Sequence, residues 1–204
     1  MAVQIFATAD GGISSTNATY LTARSGSSLS ATNNADEIVG QDLAVNYHVY
    51  EGFLSFDTSV LSGQTVDSVV LSLEFDVDVS TTNFTIEARL WPWASGGLLA
   101  GDWLAGASAG AQTLLATLST AGLSLNTYQA FTSTGSFVGA INTTGVTDIV
   151  LISDRSTAGT TPTGDEYVYF TTIENATRLP KLRVETINSN AAETMRFVTS
   201  PNRW

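Results

Sequence analysis

Apolar and polar residues alternate most cleanly between Val69 and Val79. Val69, Leu71, Leu73, Phe75, Val77 and Val79 fall on one side; Ser72, Glu74, Asp76 and Asp78 fall on the other. A period of two over this length predicts a half-buried strand with one packed face and one acidic, wet face. After Ser80-Thr81-Thr82-Asn83 the alternation resumes, with Phe84, Ile86, Ala88 and Leu90 opposed to Thr85, Glu87 and Arg89. Two such runs joined by a short polar turn predict an antiparallel hairpin.

Further strands are expected along the chain. Tyr47 to Phe56 is aromatic-rich, with Gly52 placed for a bulge. Ile149-Val150-Leu151-Ile152 has the continuous apolar character of a central strand. Tyr167 to Ile173 is aromatic and β-branched, and Leu182 and Val184 alternate with charged neighbours just after Pro180. Leu98 to Leu118 is rich in Ala and Leu but broken by Gly101, Gly106 and Gly110. Each would cost about 1 kcal/mol inside a helix, so a loop is expected there, then a strand over 113–118. Ser136 is placed to cap one short helix, Phe137 to Ile141. Residues 25–36 and 156–165 read as polar loops. Seven or more short strands between turn residues predict an all-β antiparallel sandwich of the jelly-roll kind over residues 1–186.

Residues 187–204 break the pattern at Asn188-Ser189-Asn190 and then bring Met195, Arg196, Phe197, Arg203 and Trp204. One reading is a last strand with a frayed end. The other is a C-terminal extension whose arginines and aromatics dock on a partner subunit.

Composition agrees with sheet. Thr (29) and Ser (22) fill most polar positions in the 204 residues, while charged residues are only 13%. Thr fits a pleated surface, and Ser suits turns. A chain this long can bury a core without disulfide or metal. The net charge of −11 repels phosphate and argues against nucleic acid as a partner. There is no cysteine, which excludes thiolate chemistry and Cys-based metal sites. The opening MAVQIFATADGG lacks the basic and apolar regions of a signal peptide. No apolar run reaches the roughly 20 residues of a membrane helix, so no membrane partner is expected. Four Asn-x-Thr sequons, at Asn17, Asn83, Asn142 and Asn175, are the chance product of a Thr-rich chain.

Catalytic chemistry finds little to work with. His48 is the only histidine and sits in an aromatic strand, without a nucleophile-elbow pattern elsewhere. Glu74, Asp76 and Asp78 share a strand face about 7 Å apart, a spacing that any alternating acidic strand produces. Asp10-Gly11-Gly12, Asp36-Glu37 and Asp165-Glu166 offer oxygen ligands for Ca²⁺, though none has EF-hand spacing, and no cofactor is expected. Trp91, Trp93 and Trp103 are the candidates for carbohydrate binding if their rings are exposed, and otherwise plug the core or its rim.

The stretch Tyr47–Leu73, with Phe56-Asp57-Thr58-Ser59 leading to Val69–Leu73, resembles the core signature of DNRLRE-type domains. Leu179-Pro180-Lys181-Leu182-Arg183-Val184 is similar to the closing strand of that family. The likeness spans roughly residues 8–186. Glu51-Gly52 stands where the family often has an Arg, so a role for that Arg does not carry over. The resemblance implies a jelly-roll sandwich of the sort found in carbohydrate-binding modules and phage virion proteins. From it follows the expectation of a non-enzymatic bacteriophage structural protein, a capsid decoration protein or a head or tail fibre component. Its partners would be capsid or tail subunits, further copies of itself, or a glycan, and its place the virion, assembled in the host cytoplasm. The alternative is a carbohydrate-binding module at a cell surface or in a secreted protein.

Overall fold

A computed structural model describes residues 1–93 and 97–187. The described residues form twelve strands: β1 (Ala2–Asn17), β2 (Ser30–Thr32), β3 (Asp36–Leu43), β4 (Tyr47–Asp57), β5 (Thr65–Asp78), β6 (Thr85–Leu90), β7 (Leu114–Ser119), β8 (Tyr128–Ala130), β9 (Thr132–Ser133), β10 (Val146–Ser153), β11 (Glu166–Thr171) and β12 (Lys181–Ile187). Four helices of one turn or little more accompany them: α1 (Tyr20–Arg24), α2 (Gly106–Ala109), α3 (Ser136–Ala140) and α4 (Asp154–Ala158). Every strand pair is antiparallel. The fold is the expected all-β one, a sandwich with barrel-like closure.

Two long strands make the closure. The first residues of β1, Ala2 to Phe6, pair with β12, and the rest, from Ala7 on, pairs with β4. The register slips between Ala7 and Ala9, a bulge of the kind that bends a strand from one sheet into another. The β5 strand likewise pairs with β12 near its start and with β11 near its end. The ring β1-β12-β5-β11-β3-β4 therefore closes on itself, and β10, β6, β7 and β9 continue from β4.

Alternation along these strands feeds two cores. Leu54, Phe56, Leu71, Leu73, Phe75, Ile149, Leu151, Val168 and Phe170 lie in the main core between the sheets. The intervening residues Phe53, Val150 and Ile152 face the other way and join Ile13, Tyr20, Trp93, Trp103 and Leu104 in a second core. This explains the unbroken apolar run at Ile149–Ile152, because β10 is covered on both faces. The lid of the second core is α1 with the stretch 97–110.

The hairpin expected between β5 and β6 does not form. The β6 strand pairs with β10 and β7, while β5 pairs with β12, β11 and β8. A short polar link signals a hairpin only when its strands belong to one sheet, and here it crosses the sandwich. The acidic face of β5 is not fully wet either, since Glu74 is buried against Arg178. Gly52 makes no bulge: its pairing with Gly12 and Leu151 is regular. A Cβ there would lie 2.5 Å from Cζ of Phe170, so the missing side chain admits a core ring.

Candidate functional site

The tryptophans proposed from sequence sit at or under the lid. Trp93 and Trp103 are buried in the second core; Trp93 meets Phe53 edge-on with ring centroids 6.0 Å apart. The Trp93 indole donates to the Leu54 carbonyl at 3.3 Å, and the half-buried Trp91 donates to the Asp102 carbonyl at 2.8 Å. The three rings thus make no flat exposed platform, and core or rim packing is where the structure places them. Met195, Arg196, Phe197, Arg203 and Trp204, with the extension from residue 188, lie outside the described residues.

A different aromatic surface appears where β4, β3 and β11 run side by side. Tyr50 and Tyr167 are both register partners of Gly40. With no side chain at position 40, the two rings approach across it to 5.5 Å between centroids. Tyr167 contacts Tyr169 at 5.8 Å, and His48 stacks on Tyr50 at 6.1 Å. All four are half-exposed. Asp42 anchors the array, accepting from the Tyr50 hydroxyl at 2.9 Å and meeting His48 Nδ1 at 2.6 Å. Burial first, then the Asp42 charge, pushes the Tyr50 hydroxyl well above its ordinary range, which keeps it a donor. Beside the rings lies a groove of about 210 Å³ lined by Tyr50, Tyr169, Ile38, Asn34 and Asp36. In the sequence these tyrosines mark only strands, because their partnership depends on Gly40, which no local pattern reveals.

A second, larger cleft of about 510 Å³ opens between β1, the end of β2 and the lid, lined by Thr8, Asp10, Thr32, Asn33, Trp93 and Leu98 among others. Asp10 is only 5% exposed. Its Oδ2 accepts the Ile173 N–H at 2.6 Å, while Oδ1 receives no N–H or hydroxyl donor. Burial pushes this carboxyl up to about 7, the Ile173 bond opposes the shift, and the Glu174 charge, a side-chain hydrogen bond with Glu174 and the Glu37 charge add to it.

Other buried charges act as internal ties. Arg155 holds the fully buried Glu166 through two bonds of 2.6 and 3.1 Å. Gln41 donates to Glu166 at 2.7 Å and accepts from Tyr20 at 2.6 Å, linking α1 to β3 and β11. Arg24 bridges α1 to α4 by donating to the carbonyls of Ser156 and Thr157. Arg89 pairs with Glu87 at 2.9 Å, and Arg178 with Glu74 at 2.8 Å. Glu51 is fully buried beneath the lid, accepts the Leu104 N–H at 3.0 Å, and is pushed well above the usual carboxylate range by burial. Among the described residues no group of three or more His, Asp or Glu side chains converges as a ready-made metal cluster. No protein-family model matches the chain, and no curated protein matches it.

Proposed function

We propose that this chain is a non-enzymatic structural protein of a bacteriophage virion, serving as capsid decoration or as part of a head or tail fibre. The observation that best supports this reading is how the sandwich closes at its last strand. Both edges of β12 are occupied, by β1 on one side and β5 on the other. The β12 strand therefore needs no further partner strand. In this reading Met195, Arg196, Phe197, Arg203 and Trp204 serve a neighbouring capsid or tail subunit, or another copy around a symmetry axis. Arginine and aromatic anchors carry much of the binding energy at such contacts. The buried carboxylates Glu166 and Glu74 and the half-buried Glu87, each held by an arginine, fit a scaffold that keeps its charges for cross-linking. Mass spectrometry of purified virions tests the reading: the protein is expected at a fixed ratio to the major capsid or tail protein. Its absence from particles would refute it.

Carbohydrate binding is the second reading, and the tyrosine face favours it over the tryptophans. Half-exposed rings of Tyr50, Tyr167 and Tyr169 offer apolar surface for sugar faces, with Asn34 and Asp36 nearby to meet hydroxyls. Affinity electrophoresis against a polysaccharide panel should retard the protein, and Tyr167→Ala should weaken that retention about tenfold. If no polysaccharide retards the wild-type chain, this reading falls.

A further inference from the structure

We infer that the cleft at Asp10 is a binding site for a divalent cation of the calcium type. The inference begins with charge. Three of the six buried acids among the described residues have a basic side chain close by: Glu166 has Arg155, Glu74 has Arg178 and Asp42 has His48, while Glu51 is sealed beneath the lid away from any cleft. Asp10, Glu37 and Glu174 act on one another electrostatically, and no Lys, Arg or His among the described residues pairs with any of them. An anionic centre without a protein cation is costly when partly desolvated, and an external cation relieves it.

Geometry then selects the ligand atom. Of the three acidic segments that offer oxygen ligands, Asp165-Glu166 is disqualified because Arg155 and Gln41 take Glu166. Both Glu37 oxygens are taken, by the Thr32 hydroxyl and the Asn34 N–H at 2.8 Å each. Asp36 lies in the field of Arg178. Asp10, like Asp36, has a buried Oδ1 that receives no N–H or hydroxyl donor, but Asp10 lines the open cleft and its side-chain partner is another acid, the exposed Glu174. Thr8, Thr32 and Asn33 on the same cleft supply neutral oxygens of the kind a hard cation accepts. Magnesium fits less well, because it demands a near-ideal octahedron and gives up water reluctantly. With two acidic side chains and no preformed cluster, affinity falls in the weak class, about 0.1–1 mM.

Trp93 lines the same cleft and serves as an antenna. Terbium added to the full-length chain should give tryptophan-sensitised emission that Ca²⁺ displaces. Ca²⁺ should also raise the unfolding temperature where NaCl of matched ionic strength does not. Asp10→Asn keeps an acceptor for the Ile173 N–H, and Glu174→Gln changes only an exposed side chain, so both variants fold. Each should weaken terbium and Ca²⁺ binding about tenfold or more, while Asp67→Asn at an exposed position of β5 leaves both unchanged. Absence of sensitised emission from the wild-type chain would overturn the inference. So would emission and Ca²⁺ stabilisation that persist undiminished in both cleft variants.

Discussion

At Gly40 the absence of one carbon decides whether two tyrosines meet. The residue has φ of +136°, and a Cβ there would lie 2.2 Å from the Glu166 carbonyl oxygen. Gly40→Ala should therefore lower stability by about 2–4 kcal/mol in urea unfolding, through strain and overpacking together. A loss within experimental error would mean that β11 shifts freely against β3. Asp10 supplies a second test at this scale. Its folded pKa near 7 stands above the ordinary carboxylate value of 3.8. The folded state thus holds a proton that the unfolded chain has released, and stability falls as pH rises from about 4 through 7. Asp10→Asn should remove a decline of at most about 4 kcal/mol over that window, measured by urea unfolding without divalent ions. Identical pH profiles for the two proteins would contradict the assignment. Sequence picked out Asp10 as an oxygen donor but not its isolation, because Glu37 and Glu174 join it only through the fold.

Among elements, those with unbroken alternation were the ones legible in sequence. The β5 and β12 strands repeat apolar residues at every second position, and β10 announces burial on both faces. The β1 strand escaped notice although it is the longest, because its pattern slips at the Ala7–Ala9 bulge and then meets Gly11 and Gly12. Helices α1 and α4, of five residues each, are too short for a helical period to show. Tertiary ties hold them instead: Tyr20 to Gln41, Arg24 to the backbone of α4, and Arg155 to Glu166. Local sequence does not encode such ties, since their partners lie far along the chain. Arg155→Met should leave Glu166 buried and without its arginine, and cost about 3–5 kcal/mol in urea unfolding. A cost below 1 kcal/mol would mean that the pair contributes little.

Over the whole molecule, the closed ring from β1 through β12, β5, β11 and β3 to β4 leaves β2 and β9 as the ends of the strand order. Both are three residues or shorter, which limits unplanned edge pairing. First and last strands are bound together, with the Met1 amino group donating to the Thr186 carbonyl at 2.6 Å and the Thr186 N–H returning a bond of 2.8 Å. The described residues close this ring among themselves, and the proposed role in assembly is assigned to residues 188–204. Size-exclusion chromatography with light scattering on the full chain and on a chain ending at Ile187 tests this most directly. An assembly role through the extension predicts an oligomer for the full chain and a folded monomer for the shortened one. Two folded proteins of the same oligomeric state would contradict it.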